Sequence, residues 1–190
     1  GYTVSGTDRE ESAALEALRL LGVTAHAGHS AAAVGPDVAT VVVSTAIGAD
    51  TPDVAEAARR GIAIIHRAEF LAELMSTHRG LAVAGAHGKS TTSAMLRLAL
   101  GGASACIGAT IPEGSGTGAA WGAGPWFVAE ADESDRSLLE LDPEAAILLN
   151  VDHDHHSTYA SIDDVEEVFA AFVARLPAEG ALVVGPDPRA

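Results

Sequence analysis

Three stretches of the sequence bring together residue types whose spacing suits chemistry on a phosphate. The first is Gly85-Ala86-His87-Gly88-Lys89-Ser90-Thr91. It follows the apolar run Leu81–Ala84, which reads as a buried strand, and it opens a helical run from Ser90 to Leu100. Backbone N–H groups at a helix start point into such a loop, and the helix dipole favours an anion there. Lys89 can reach outer phosphates, and the Ser90 hydroxyl suits Mg²⁺. The strict pattern G-x-x-x-x-G-K-[ST] is not met, because Val83 stands at its first position and the loop is shorter. Lys89 is, however, the only lysine among eleven lysines and arginines. A compact, flexible ammonium stands at the one place where it suits a phosphate chain.

The second stretch, Glu130-Ala131-Asp132-Glu133-Ser134-Asp135, places four acids at the end of the strand-like run Trp126–Ala131. The third, Asn150-Val151-Asp152-His153-Asp154-His155-His156, follows the strand-like run from Ala145. Ligands gather at the carboxyl edge of a parallel sheet, and carboxylates there can hold Mg²⁺ beside a phosphate loop. The histidine spacing fits no familiar zinc pattern, so one His with carboxylates and phosphate oxygens is the more economical metal set. Taken singly, the first stretch also reads as a Gly-rich strand-to-helix turn with an incidental Lys, the second as a solvated acidic turn and the third as a polar exposed loop. Taken together, they are what an ATP–Mg²⁺ site requires.

The elements that must position these groups alternate. Strands are expected at Tyr2–Ser5, Val23–Ala27, Val38–Val43 and Ile62–Ile65. Helices are expected over Glu10–Leu21, with Leu15, Leu18 and Leu21 on one face, from Pro52 to Gly61, and over Arg67–Met75. This alternation implies parallel strands covered by helices. The polar segment 76–80 marks a junction between domains at 1–78 and 79–190. Residues 100–125 are rich in Gly and Ala and read as loop with one short strand. Ser161 and Asp164 form a capping box in front of an amphipathic helix to Leu176, and Ala181–Val184 is a last strand. The fold class is therefore α/β with mainly parallel sheets.

Apolar residues make up 48% of the chain and charged ones 19%, enough for a core built from aliphatics, since aromatics are only 4%. A formal charge of −15 argues against a basic nucleic-acid-binding face, so an anionic substrate must be held by local devices. The lone Cys106 allows no disulfide within the chain and suits a reducing, cytoplasmic setting, and no apolar run is long enough to span a membrane.

At these residues the chain resembles the Mur ligase family. Gly85-Ala86-His87-Gly88-Lys89-Ser90-Thr91-Thr92 is similar to the family's G-T-H-G-K-T-T-T; Ser90 keeps a hydroxyl that Ala86 loses. Glu130–Asp135 matches E-A-D-E-S-D, particular to the members that add L-alanine, followed by Arg136-Ser137-Leu138 where x-S-F is usual. Asn150, Asp154, His155 and Tyr159 match N-x-x-x-D-H and its following Tyr, with Ser157 where Asp is usual. Gly6-Thr7-Asp8, Gly28-His29, Ser44-Thr45-Ala46-Ile47 and Arg67-Ala68-Glu69 resemble further family motifs in order.

The resemblance implies an incomplete Rossmann-like domain that binds a UDP-sugar, then part of a P-loop-type ATP-binding central domain. It implies ATP-dependent joining of L-alanine to UDP-N-acetylmuramate through an acyl phosphate. Gly85 to Thr91 would hold ATP, with Lys89 on its outer phosphates; Ser90 and Glu130 would ligate one Mg²⁺ and His155 a second. Lys89, Glu130 and His155 would carry the catalysis, and Asp8, His29, Ser44 and Thr45 would line the UDP-sugar site. The family's Gly-rich first loop would precede Gly1 and its third domain would follow residue 190, so an internal part of a longer ligase is expected. Rival readings are a ligase that attaches a recovered tripeptide, usually with Tyr where this chain has Ser134, a nucleotide-binding chain without turnover, and a metallohydrolase built on the histidines.

Overall fold

The computed structural model describes residues 2–110 and 118–186, which divide into two compact units at Phe70/Leu71. The division falls inside a helix, several residues before the polar segment 76–80.

In the first unit, β1 (Ser5–Asp8) pairs in parallel with β2 (Thr24–Ala27), and β3 (Thr40–Val43) with β4 (Ala63–His66). The expected strand Tyr2–Ser5 is displaced: Gly6-Thr7-Asp8 lies within β1, because pairing of Ser5 with Thr24 through Asp8 with Ala27 outweighs the poor strand propensity of Gly and Asp. Helix α1 spans Ala13–Leu20, not Glu10–Leu21, because the Ser12 hydroxyl accepts from Leu15 N and sets the start. Only Leu15 of its predicted face is buried; Leu18 and Leu21 are exposed. The apolar run Val38–Val43, which reads as a buried strand, is half-exposed as β3, having one strand neighbour among the described residues. Helix α2 (Pro52–Arg60) starts on Pro52 and ends at Gly61 in the left-handed region, as its sequence predicts.

Helix α3 (Arg67–Ser76) leads to the second unit, where β5 (Arg79–Ala84), α4 (Lys89–Leu100), β6 (Ser104–Cys106), β7 (Ala119–Ala120), β8 (Trp126–Glu130), β9 (Ala145–Leu148), α5 (Ile162–Val173) and β10 (Ala181–Val184) follow. The strands form one sheet in the order β10-β9-β5-β8-β6-β7, parallel except for β7. The segment read as loop with one short strand thus holds two, β6 and β7; part of it, 111–117, lies outside the described residues.

Side chains alternate across this sheet. Ala82 and Ala84 of β5, with Phe127 and Ala129 of β8, pack with Met75 and with Val165, Val168, Phe169 and Phe172 of α5. Leu81, Trp126 and Val128 pack on the other face with Ala94, Leu96 and Leu100 of α4. Each fully buried large aliphatic or aromatic side chain contributes roughly 1.5–3 kcal/mol. Helix α5 begins with the expected capping box between Ser161 and Asp164. Helices on both faces of a parallel sheet leave its carboxyl edge open, and β5, β8 and β9 all end there.

Candidate functional site

The phosphate-type loop leaves β5 at Gly85 and returns as α4 at Lys89. Gly85 has φ +129°, and a Cβ there would lie 3.1 Å from Asn150 N and O, so the loop requires glycine for both reasons. Gly88 caps α4 with φ +88°. Asn150, just beyond β9, clamps the loop from the neighbouring strand exit. Its Oδ1 accepts from His87 N at 2.8 Å, and its Nδ2 donates to His87 O at 2.9 Å. Ala86 N donates to Asn150 O at 3.3 Å. Residues 86 to 91 line an open cavity of about 240 Å³ over the start of α4.

Lys89 folds back over this loop. Its Nζ donates to Gly85 O at 2.8 Å and lies 3.0 and 2.9 Å from the two carboxylate oxygens of Glu133. The Glu133 side chain is 3% exposed, and His155 Nε2 stands 3.5 Å from its Oε1. Lys89 and His155, from stretches 66 positions apart, therefore meet on one buried carboxylate. Tyr159 fixes the turn that carries Glu133, its hydroxyl donating to Glu133 O, while Thr158 Oγ1 donates to Ser134 O at 2.7 Å. Burial raises the Tyr159 phenol above its ordinary value against the opposing charge of Arg136, so it stays a donor. His155 sits in the left-handed region at φ 53°, its N–H bonded to Asp154 Oδ1 at 2.7 Å.

Glu130 closes β8, in register with Val83 two residues before Gly85. Its Oε1 is buried and has no hydrogen-bond partner among the described residues. An unpaired buried carboxylate oxygen is costly, and a hard cation satisfies it. Gly108 leaves room beside it: a Cβ there would lie 3.1 Å from Glu130 Oε2. The Glu130 carboxylate at the end of β8 and the Ser90 hydroxyl in the first turn of α4 are hard oxygen donors, the type that Mg²⁺ takes. Among the described residues no group of three His, Cys, Asp or Glu side chains forms a metal cage.

The remaining predicted residues belong to the first unit. His29 follows β2; its Nδ1 lies 2.8 Å from Thr7 Oγ1 and 3.1 Å from Asp53 Oδ2 at the start of α2. Burial would raise Asp53, but hydrogen bonds from Thr7, His29 and Val54 N outweigh it and hold this carboxyl below the usual range. Asp8 ends β1, exposed, with Oδ1 accepting from Arg9 N. Ser44 and Thr45 follow β3, and Thr45 Oγ1 lies 3.2 Å from His66 Nε2 at the end of β4.

Sequence reasoning thus singled out Lys89 and His155 but not Glu133, the acid that joins them, nor the clamping role of Asn150. The acidic run named Glu133 among four carboxylates without a signal for which is buried. That depends on where β8 stops and how the turn after it is held by Tyr159.

Two family models match the chain, in sequence order. The family model described as Mur ligase family, catalytic domain, matches residues 1–79, and that described as Mur ligase middle domain matches 125–189. A UDP-N-acetylmuramate–L-alanine ligase from Streptomyces griseus is 48% identical over 98% of this chain and 41% of its own length. One from Rubrobacter xylanophilus is 46% identical over 100% of this chain and 43% of its own. The chain thus spans about 41% of the length of the first curated relative. Among solved structures, a UDP-N-acetylmuramate:L-alanyl-γ-D-glutamyl-meso-diaminopimelate ligase from Neisseria meningitides superposes with TM-score 0.85 at 27% identity, over 98% of this chain and 64% of that one. A UDP-N-acetylmuramate–alanine ligase from Thermotoga maritima shares the fold with TM-score 0.84 at 24% identity, over 98% of this chain and 44% of that one. With both domain models matched in sequence order and the phosphate loop, acidic turn and histidine turn on one sheet edge, the chain belongs to the Mur ligase family.

Proposed function

We propose that this chain is the part of an ATP-dependent amide-forming ligase that binds ATP and a UDP-sugar, joining L-alanine to UDP-N-acetylmuramate in peptidoglycan precursor synthesis. The observation that carries the reading is the convergence of Lys89, Glu133 and His155 at the loop whose cavity residues 86 to 91 line. The identity to L-alanine ligases supports the substrate pair.

In this reading the lactyl carboxylate oxygen bonds to the γ-phosphorus as the β–γ bridging bond breaks and ADP leaves. The amine of L-alanine then attacks the acyl carbon, and phosphate leaves. A carboxylate is a poor electrophile; phosphorylation gives it a leaving group, and the protein's work is positioning and charge neutralisation. Backbone N–H groups of residues 85–91 cradle the phosphates, and Lys89 neutralises the outer ones. Ser90 and Glu130 would hold one Mg²⁺, and His155 would contribute to a second site. Bound Mg²⁺ would neutralise phosphate charge. Asp8, His29, Ser44 and Thr45 contact the UDP-sugar, with His29 oriented by Thr7 and Asp53. A cytoplasmic setting goes with these nucleotide substrates; no helix of the described residues is long and apolar enough to cross a membrane.

The likeness to the Neisseria tripeptide ligase supports a second reading, in which the amine comes from a peptide. One experiment separates them. In the full-length protein that contains residues 1–190, ATP-dependent coupling to UDP-N-acetylmuramate is followed with L-alanine and with the tripeptide. Coupling of L-alanine supports the first reading; coupling of the tripeptide alone replaces it with the second, and coupling of neither overturns both.

A further inference from the structure

Glu133 is placed to do more than fill a turn. A Lys ammonium has three N–H donors and no acceptor. Lys89 directs them to Gly85 O at 2.8 Å, Ala86 O at 3.4 Å and the Glu133 carboxylate at 2.9 and 3.0 Å. The side chains of Lys89 and Glu133 are 14% and 3% exposed, so this pair is poorly screened by water. A terminal phosphate that engages Lys89 has to win the ammonium from an anion already bonded to it. When Lys89 turns away, the buried Glu133 carboxylate keeps His155 Nε2 beside it, 3.5 Å from Oε1.

We propose that Glu133 is a positioning residue that serves as an internal stand-in for phosphate. It holds Lys89 against the loop carbonyls, and the outer phosphates of the nucleotide displace it, so that part of their binding energy is spent on breaking the Lys89–Glu133 pair. The inference deepens the nucleotide reading above and rests on it. Charge-assisted hydrogen bonds are the strong ones, so the neutral amide of Glu133→Gln competes less well for Lys89, while Glu133→Asp keeps the competing charge. A purely structural Glu133 makes the opposite prediction: the amide variant loosens the loop and binds nucleotide less well.

The test is calorimetric titration of the full-length protein that contains these 190 residues with ATP·Mg²⁺ and with AMP, for the wild type, Glu133→Gln and Glu133→Asp. The inference expects Glu133→Gln to bind ATP·Mg²⁺ about tenfold tighter, ~1.4 kcal/mol, with Glu133→Asp within about twofold of wild type. AMP, which has no outer phosphates, gains nothing. Equal or weaker ATP·Mg²⁺ binding by Glu133→Gln overturns the inference, as does an equal gain for AMP. A wild type that binds no ATP·Mg²⁺ overturns the nucleotide reading, and the inference with it. Should Glu133→Gln fail to fold, the structure of the wild type with a non-hydrolysable ATP analogue and Mg²⁺ decides. Separation of Lys89 Nζ from Glu133 beyond ~4 Å, the limit of an ion pair, supports displacement. Retention of both bonds near 3 Å contradicts it.

Discussion

Lys89 Nζ lies 2.9 Å from Glu133 Oε2, on the carboxylate that also faces His155 at 3.5 Å. The two members of this pair are not equivalent. Removing Lys89 strands a carboxylate whose side chain is 3% exposed, whereas removing the Glu133 charge leaves Lys89 bonded to Gly85 O and 14% open to water. Breaking a buried pair by deleting one partner is costly because of the charge left behind. We expect Lys89→Ala to lower unfolding free energy by about 2–4 kcal/mol and Glu133→Gln by less. Urea melts of the two variants check the order; a costlier Glu133→Gln would show that the carboxylate is not the stranded charge.

The loop glycines form a second graded pair. An alanine at Gly85 combines φ +129° with a Cβ 3.1 Å from Asn150 backbone atoms, which cannot yield as a side-chain end can. At Gly88 the φ of +88° is also unfavourable, but the Cβ meets only Leu149 Cδ1, at 3.4 Å. Backbone strain of this kind costs on the order of 1–3 kcal/mol, so Gly85→Ala should fall at or above the top of that range and Gly88→Ala near its bottom. Thermal melts of both variants give the comparison.

Asn150 binds His87 through both halves of its amide. Asn150→Asp keeps the acceptor for His87 N but sets an oxygen against His87 O; Asn150→Ala loses both bonds. We expect a loss of about 1–3 kcal/mol in each, with Asp no better than Ala despite its smaller change in shape. Faster amide hydrogen exchange at residues 86–88 in both variants is the direct readout, and unchanged exchange would remove Asn150 from its role as a clamp.

Much of this site was legible before any coordinates. The glycines, the single lysine and the apolar run before them specify a strand, a turn and a helix start in purely local terms. The sheet edge follows from the alternation of elements, and the α5 stripe with its Ser161–Asp164 cap is read from spacing alone. What was not legible is what non-local contacts decide. Strand β1 takes in Gly6-Thr7-Asp8 because of its partner β2. Leu18 and Leu21 look like core by periodicity, yet they are exposed. Which of four acids is buried depends on a hydroxyl 26 positions away, that of Tyr159.

Acid sensitivity should trace partly to Asp53. Hydrogen bonds from Thr7, His29 and Val54 N hold its carboxyl below the ordinary value in the folded chain. Between the folded and unfolded values the native state binds fewer protons than the unfolded state, so stability rises with pH there. This contribution is fully present above pH ~4, near the unfolded aspartate value, and is lost as pH falls through the folded value. Asp53→Asn should flatten the acid limb of a stability–pH profile below pH ~4. An unchanged limb would assign the acid loss to other carboxylates.

The account depends most on Lys89 gripping the outer phosphates of ATP. Titration calorimetry of ATP·Mg²⁺ into the full-length protein that contains these residues, wild type against Lys89→Ala, measures this directly. The prediction is one bound nucleotide per wild-type chain and at least about a hundredfold loss in Lys89→Ala, ~2.7 kcal/mol, while the variant stays folded by circular dichroism. Equal affinity in the two proteins would contradict it.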